Sequence, residues 1–408
     1  MSTTRTSTRV KVDRASVAET AITRRSTLKG LGMGATAAAI MASDGPRSIA
    51  RALSMALPPQ DRPLLLHNNE NPLGPGDIVT RAMNAAMDSG IGSQYGLPGR
   101  QTIQAIADTQ GIPADHLMLG NGSTQLLRSL THVFTSPTRP LVTASPSFET
   151  MPEYAALVGH PVESVPLDAD LKIDLDAMAD AAQGAGIVFF CNPNNPTATL
   201  HRADAVGAFI ERVLSETDAS ILVDEAYFDY VTDPGNATQI PMALESERVL
   251  VSRTFSKAHG MAGMRMGWLV AKPAVISRIR EWHYNGTLNA PALLGAKASI
   301  EDPGRIEREA ERNTAVRDFT LDWFAARGFP ATDAQTNFLF VKTGMPASAF
   351  RDACAQYNVL VGRDFPPYEN EWSRISLGTM EEMERAVEVF RRVLPATAAQ
   401  RQGVGVAA

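Results

Sequence analysis

Four short apolar runs most limit what this chain can fold into: LVTAS (141–145), IVFFC (187–191), ILVDEA (221–226) and VLVSRTF (249–255). Each has the length and character of a buried strand, and the stretches between them carry amphipathic helical periodicity. Strands of this kind need cover on both faces, so the pattern predicts an α/β fold built on a mostly parallel sheet. After Pro291 the character changes. A long charged helix around 304–327 leads to TNFLFVK (336–342), VLVGR (359–363) and SRISLGT (373–379), then to a final helix, which predicts a second, smaller α+β domain. No internal repeat, low-complexity tract or long linker interrupts the series.

With 408 residues, 44% of them hydrophobic and 20% charged, the chain can bury a large core in one or two domains. No run of 18 or more apolar residues occurs, so no lasting membrane association is expected. Cys191 and Cys354 lie far apart, without CxxC spacing or neighbouring histidines, so neither a disulfide framework nor a metal site is expected. The N-terminus is different in kind. TRRSTLK (23–29) runs into the small apolar stretch LKGLGMGATAAAIMAS (28–43), which has the form of a twin-arginine export signal, a basic arm being the alternative. Cleavage could follow Ala42 or Ala56. Residues 1–56 carry nine Lys/Arg against three Asp/Glu, which leaves a net charge of −12 on the remainder. Nucleic acid and anionic membranes are poor partners for so acidic a surface. The expected division is a leader over 1–56, an arm over 57–87 joining the small domain, a large domain over 88–291, a small domain over 292–396 and a tail over 397–408.

In open α/β sheets, ligand chemistry collects where strands end and helices begin. Polar signals stand at such ends in this sequence. CNPNNPTA (191–198) follows one strand, VDEAYFDY (223–230) ends another, SRTFSKAHGMAGMR (252–265) ends a third, and GNGSTQLL (120–127) is a glycine turn opening a helix.

Taken in order, from HNNENPLGP (67–75) to SRISLGT (373–379), these motifs resemble the fold type I, class I/II aminotransferases that use pyridoxal phosphate, and within them the histidinol-phosphate aminotransferase-like branch. The resemblance implies a large domain with a mostly parallel sheet and a smaller α+β domain. It implies that Lys257 holds the cofactor aldehyde as a Schiff base and moves protons at the substrate α-carbon. Asp224 matches the anion that keeps the pyridine nitrogen protonated, while Tyr227 and Asn195 match the groups that hydrogen-bond the ring 3-oxygen. Gly122, Ser123 and Thr124 at a helix start, with Thr254, Ser256 and Arg265, match the phosphate cradle. Tyr95 in SQYGLPGR matches a tyrosine that reaches the phosphate of the neighbouring subunit, which implies a homodimer. Phe148 is the candidate ring cover, where tyrosine is common in the family. Arg374 matches the arginine that grips the substrate α-carboxylate, and Asn337 lies near the same site by resemblance.

The sequence departs from the family pattern at Ala198, where NNPTA replaces NNPTG, and at Thr124 and Gln125, where GNGSTQ replaces GNGSDE. An export signal also sits oddly with histidine biosynthesis. Three activities therefore stay open: an exported aminotransferase passing the amino group of a free amino acid to a 2-oxo acid, histidinol-phosphate transamination proper, and a decarboxylase or lyase on the same scaffold.

Overall fold

The computed structural model describes residues 62–89, 96–283 and 288–394. The leader expected over 1–56, Tyr95 and the tail expected over 397–408 lie outside the described residues. Eleven strands are described: β1 Leu64–Leu66, β2 Leu117–Asn121, β3 Leu141–Ser145, β4 Val162–Pro166, β5 Ile187–Cys191, β6 Ser220–Asp224, β7 Val249–Thr254, β8 Met266–Val270, β9 Phe338–Lys342, β10 Val359–Val361 and β11 Trp372–Ser376. The four apolar runs of the sequence become β3, β5, β6 and β7.

Seven strands form one sheet in the order β2-β8-β7-β6-β5-β3-β4. β3 to β7 pair in parallel, and β8 lies antiparallel to both of its neighbours. The two-residue period of a strand divides its side chains between two cores. Val188, Phe190, Ile221, Val223, Val249 and Val251 face one way, toward Ile106 of helix Leu97–Gln110 and Phe209 and Ile210 of helix Ala203–Glu216. Ile187, Phe189, Leu222 and Leu250 face the other way, toward Leu126, Leu127 and Leu130 of helix Ser123–Phe134 and Ile276 and Ile279 of helix Pro273–Trp282. The strands that escaped sequence reading have a weaker signature. β4 is mostly exposed and carries Glu163, Ser164 and a terminal proline, as suits a sheet edge, and β2 carries a glycine.

A third buried cluster gathers Phe324 of helix Arg305–Ala325, Phe338 of β9, Phe350 and Phe390 of helix Met380–Val393. Here β9 pairs antiparallel with β11, and β1 pairs in parallel with β10. Tyr227 and Ala198, which stand on loops of the large sheet, are buried in this same cluster. Helix Ala290–Ile300 follows the change of character at Pro291, where the smaller domain was expected to start. Its Ala292, Leu293 and Ala296 nevertheless pack into the core of the large sheet, and Thr102 Oγ1 donates to Leu293 O at 2.9 Å. The reason is composition: APALLGAKASI is small and apolar enough to be covered, whereas the charged face that marks the new region starts only with Arg305.

Candidate active site

Register decides what meets at the carboxyl edge of the large sheet. Cys191 stands opposite Asp224, Asp224 opposite Ser252, Thr254 opposite Gly267 and Asn121 opposite Met266. Because β8 runs in the reverse sense, its beginning lies where the other strands end, and Arg265 arrives beside Gly122. The Gly122 N–H donates to Arg265 O at 2.8 Å. Gly122 has φ +71°, a conformation that favours glycine, and a Cβ on it would displace the Arg265 guanidinium from its place beside the turn.

A cavity of about 430 Å³ opens over this edge, and its walls include Ser123, Thr124, Phe148, Asn195, Asp224, Tyr227, Thr254, Ser256, Lys257, Arg265 and Arg374. Residues from six separated stretches of sequence thus meet in one cavity. Asn337 is fully buried behind the wall, where its Nδ2 donates to Asn69 O at 3.0 Å. It supports the site rather than lining it.

At one end the groups suit a phosphate. Helix Ser123–Phe134 begins without a side-chain cap, which leaves its first N–H groups and the positive end of its dipole directed at the cavity. The Arg265 guanidinium bonds only to Ala262 O, at 2.7 Å, and no carboxylate pairs with it among the described residues. Thr254 and Ser256 add hydroxyls, and the Ser256 N–H donates to Thr254 Oγ1 at 3.1 Å, fixing the turn before Lys257. A cation and several donors converge here without a paired anion among the described residues, which fits a phosphate dianion.

Asp224 lies at the centre, almost fully buried. Its Oδ1 accepts from Ser252 Oγ at 2.8 Å. Burial raises the carboxyl from 3.8 to about 6, against the lowering effect of the Ser252 bond. A buried anion of this kind suits a protonated ring nitrogen. Tyr227 accepts from Asn69 Nδ2 at 3.0 Å, and burial pushes its hydroxyl well up, so its proton stays available for donation. Asn195 Oδ1 accepts from Arg374 Nη1 at 2.8 Å, which leaves the Asn195 Nδ2 to donate. Two neutral donors beside a carboxylate match what an anionic ring oxygen next to a pyridinium takes.

Lys257 enters from the loop after β7. Its Nζ donates to Asn69 O at 3.0 Å and Asn68 O at 3.2 Å and lies 5.5 Å from the centre of the Tyr227 ring. Burial lowers the amine to about 7, with the charge of Arg374 adding to the effect. Arg374, on β11, donates from Nη2 to His67 O at 2.6 Å, and its Nε is buried without a partner. Burial lowers this guanidinium to about 10, yet it stays charged near neutrality and presents a planar donor edge.

Sequence reading missed Asn69, the residue that ties these groups together. Held at φ 55°, a conformation asparagine tolerates, it bonds Tyr227 through Nδ2, Ser376 through its N–H and Oδ1, and Lys257 and Asn337 through its carbonyl. Its only sequence signal was the polar cluster HNNEN directly after a short apolar strand. Arg363 also lines the cavity, and Glu149 meets it at the mouth; neither stands in a motif. Ala198, the departure in NNPTA, adopts φ 63° and is fully buried, so alanine occupies a backbone position that favours glycine.

Residues 62–390 match the family of class I and II aminotransferases. A histidinol-phosphate aminotransferase of Symbiobacterium thermophilum is 32% identical over 330 residues, covering 81% of this chain and 90% of that protein. An aromatic amino acid aminotransferase of Rhodococcus jostii is 34% identical over 318 residues, covering 77% and 85%. Among solved structures, histidinol-phosphate aminotransferase from Sinorhizobium meliloti in complex with pyridoxal-5'-phosphate superimposes with a TM-score of 0.75 at 24% identity, covering 89% of this chain and 99% of that one. The chain belongs to the class I and II aminotransferases, enzymes that depend on pyridoxal phosphate and in which dimers are typical. It is a transaminase of fold type I.

The buried carboxyl yields a test on the cofactor-free protein. Between its ordinary value of 3.8 and about 6, the folded state holds a proton that the unfolded chain has already released, so this group's contribution to stability falls as pH rises through that window. Asp224→Asn should match the wild type near pH 3.5 and exceed it by about 3 kcal/mol at pH 8. Denaturant unfolding at both pH values checks this. A pH-independent difference would mean that Asp224 is ordinarily solvated.

Proposed function

We propose that this chain moves amino groups between free amino acids and 2-oxo acids, with Lys257 as the catalytic amine. The observation that carries the reading is the Lys257 amine, lowered to about 7 and facing a cavity that also holds Asp224, Tyr227 and Arg374. When bound, pyridoxal phosphate supplies an aldehyde and an electron-withdrawing ring. Because burial lowers its proton affinity toward neutrality, the Lys257 amine has its neutral form accessible at working pH, so it can attack a carbonyl carbon and take or return the proton at the substrate α-carbon. With the cofactor bound, Asp224 would hold a proton on its ring nitrogen, Tyr227 and Asn195 would donate to its ring oxygen, and Phe148 would cover the ring. Ser123, Thr124, Thr254, Ser256 and Arg265 bind the phosphate around Gly122, and Arg374 grips the α-carboxylate, braced by the layer that Asn337 supports. Lys257→Ala should lower turnover by at least about a thousandfold. Borohydride treatment of the loaded wild type should add the cofactor's mass to the peptide containing Lys257 and to no other. Appreciable turnover in the variant, or labelling elsewhere, would remove Lys257 from this role.

The Rhodococcus relative is named for aromatic amino acids, which supports free amino acids as donors. Histidinol phosphate is the second reading. The Symbiobacterium relative is named for it, and a second guanidinium, that of Arg363, reaches the same cavity as Arg374. A substrate panel with 2-oxoglutarate, scored for keto acid and for carbon dioxide, separates these two readings and also detects decarboxylation.

Two further elements of the proposal rest on sequence. Tyr95 would reach the cofactor phosphate of the partner in a homodimer, so the loaded protein should sediment as a dimer, and Tyr95→Phe should weaken cofactor binding. A fully active monomer would exclude this.

Arg24 and Arg25, followed by the apolar stretch, would direct export of the folded protein through the twin-arginine machinery, giving a periplasmic or otherwise exported enzyme. The mature chain should begin between residues 43 and 57. Replacing both arginines by lysine keeps the charge but changes the donor geometry, and should retain full-length protein in the cytoplasm. Intact native chain in the cytoplasmic fraction would argue instead for a basic arm.

A further inference from the structure

The geometry points to Glu149 as a specificity-determining residue. By engaging Arg363 at the mouth of the cavity, its carboxylate neutralises that guanidinium, while Arg374 keeps a charge that no carboxylate among the described residues pairs, and so it selects amino acids with uncharged side chains over substrates carrying a second carboxylate or a phosphate. The inference rests on the transaminase reading, with Arg374 as the α-carboxylate site.

Arg363 and Arg374 both line the cavity and share one ring, their Cζ atoms lying 4.3 Å and 4.8 Å from the centre of Phe365. They form one electrostatic group with Glu149: the Arg363 charge lowers the proton affinity of Arg374 and the Glu149 charge raises it. Two free guanidinium groups so placed would receive a substrate with an anion at each end. Glu149 prevents this, because its Oε2 contacts Arg363 Nη2 although the two residues are 214 positions apart.

Among the described residues the contact has no capping role. Glu149 directly precedes helix Thr150–Leu157 and makes no side-chain capping bond to it. The pair is open to solvent, with side chains 54% and 38% exposed, and ion pairs of that kind add little to stability. What the carboxylate changes is the field that an entering group meets. A phosphate or second carboxylate must displace Glu149 from Arg363 or lie beside its negative charge, whereas an apolar side chain meets a neutralised pair and the ring of Phe148.

The test compares the cofactor-loaded wild type, Glu149→Gln and the double variant Glu149→Gln/Arg363→Gln. For each, kcat and KM are measured with phenylalanine, aspartate and histidinol phosphate, using 2-oxoglutarate as acceptor. Glu149→Gln should raise the ratio of kcat/KM for aspartate, with its second carboxylate, and for histidinol phosphate, with its doubly charged phosphate, to that for phenylalanine about tenfold, mainly through KM, and the double variant should lose the gain. An unchanged ratio in Glu149→Gln, or a wild type that already prefers histidinol phosphate to every free amino acid, would overturn the inference. If no substrate reacts, the transaminase reading itself fails. Calorimetric titration of the loaded proteins with inorganic phosphate then still decides the role of Glu149: binding about tenfold tighter in Glu149→Gln supports it, and equal binding refutes it.

Discussion

The reversed direction of β8, held between β2 and β7, is the constraint on which the rest of the site depends. In a wholly parallel arrangement a residue preceding a strand would lie at the opposite edge from residues that follow strands. Reversal brings Arg265, which precedes β8, to the edge where β2, β6 and β7 deliver Gly122, Asp224 and Thr254. The short approach of Gly122 to Arg265 then joins a helix N-terminus to a guanidinium. Neither group alone would be a committed phosphate site; together they concentrate positive potential that no carboxylate among the described residues pairs with.

The remaining charges are set by burial. Asp224 is raised and Lys257 is lowered for the same reason, removal from water, so each departs from its ordinary range toward neutrality. For Lys257 that departure is useful, since an amine poised near 7 is both nucleophilic and basic at working pH. For Asp224 it is a cost to the folded chain that an opposing positive charge would offset. Arg374 tolerates similar burial and keeps its charge because guanidinium starts from a much higher affinity for its proton. Asn69 makes these positions compatible. It ties the segment after β1 to Tyr227, to Ser376 on β11 and to Lys257, so the amine, the phenol and the carboxylate-binding strand are registered against a single backbone turn.

The sequence carried much of this in advance, and the reasons for the gaps are specific. β3, β5, β6 and β7 were legible because strands buried on both faces must be nearly continuous in apolar residues. β4 was not, because an edge strand is half solvated and reads as a polar loop. Helix Ala290–Ile300 lies at a break in composition, but composition does not say which core a helix packs on. In the site, Lys257, Asp224, Tyr227, Arg265 and Arg374 stood in motifs whose order could be read along the chain. Asn69 stood in the HNNENPLGP motif with no role attached to it, and the contact of Glu149 with Arg363, 214 positions apart, left no mark in any motif.

By itself the sequence determined the fold class, the family and the kinds of group that would meet at the strand ends. These follow from local patterns, namely apolar runs, glycine turns and a fixed order of polar motifs. Only the tertiary structure decided the register that sets Cys191, Asp224 and Ser252 in one row, the withdrawal of Asn337 behind the wall, the linking role of Asn69, and the pairing of Glu149 with Arg363. Such contacts join segments far apart along the chain. Whether two side chains meet then depends on how the intervening elements pack, and no local pattern encodes that.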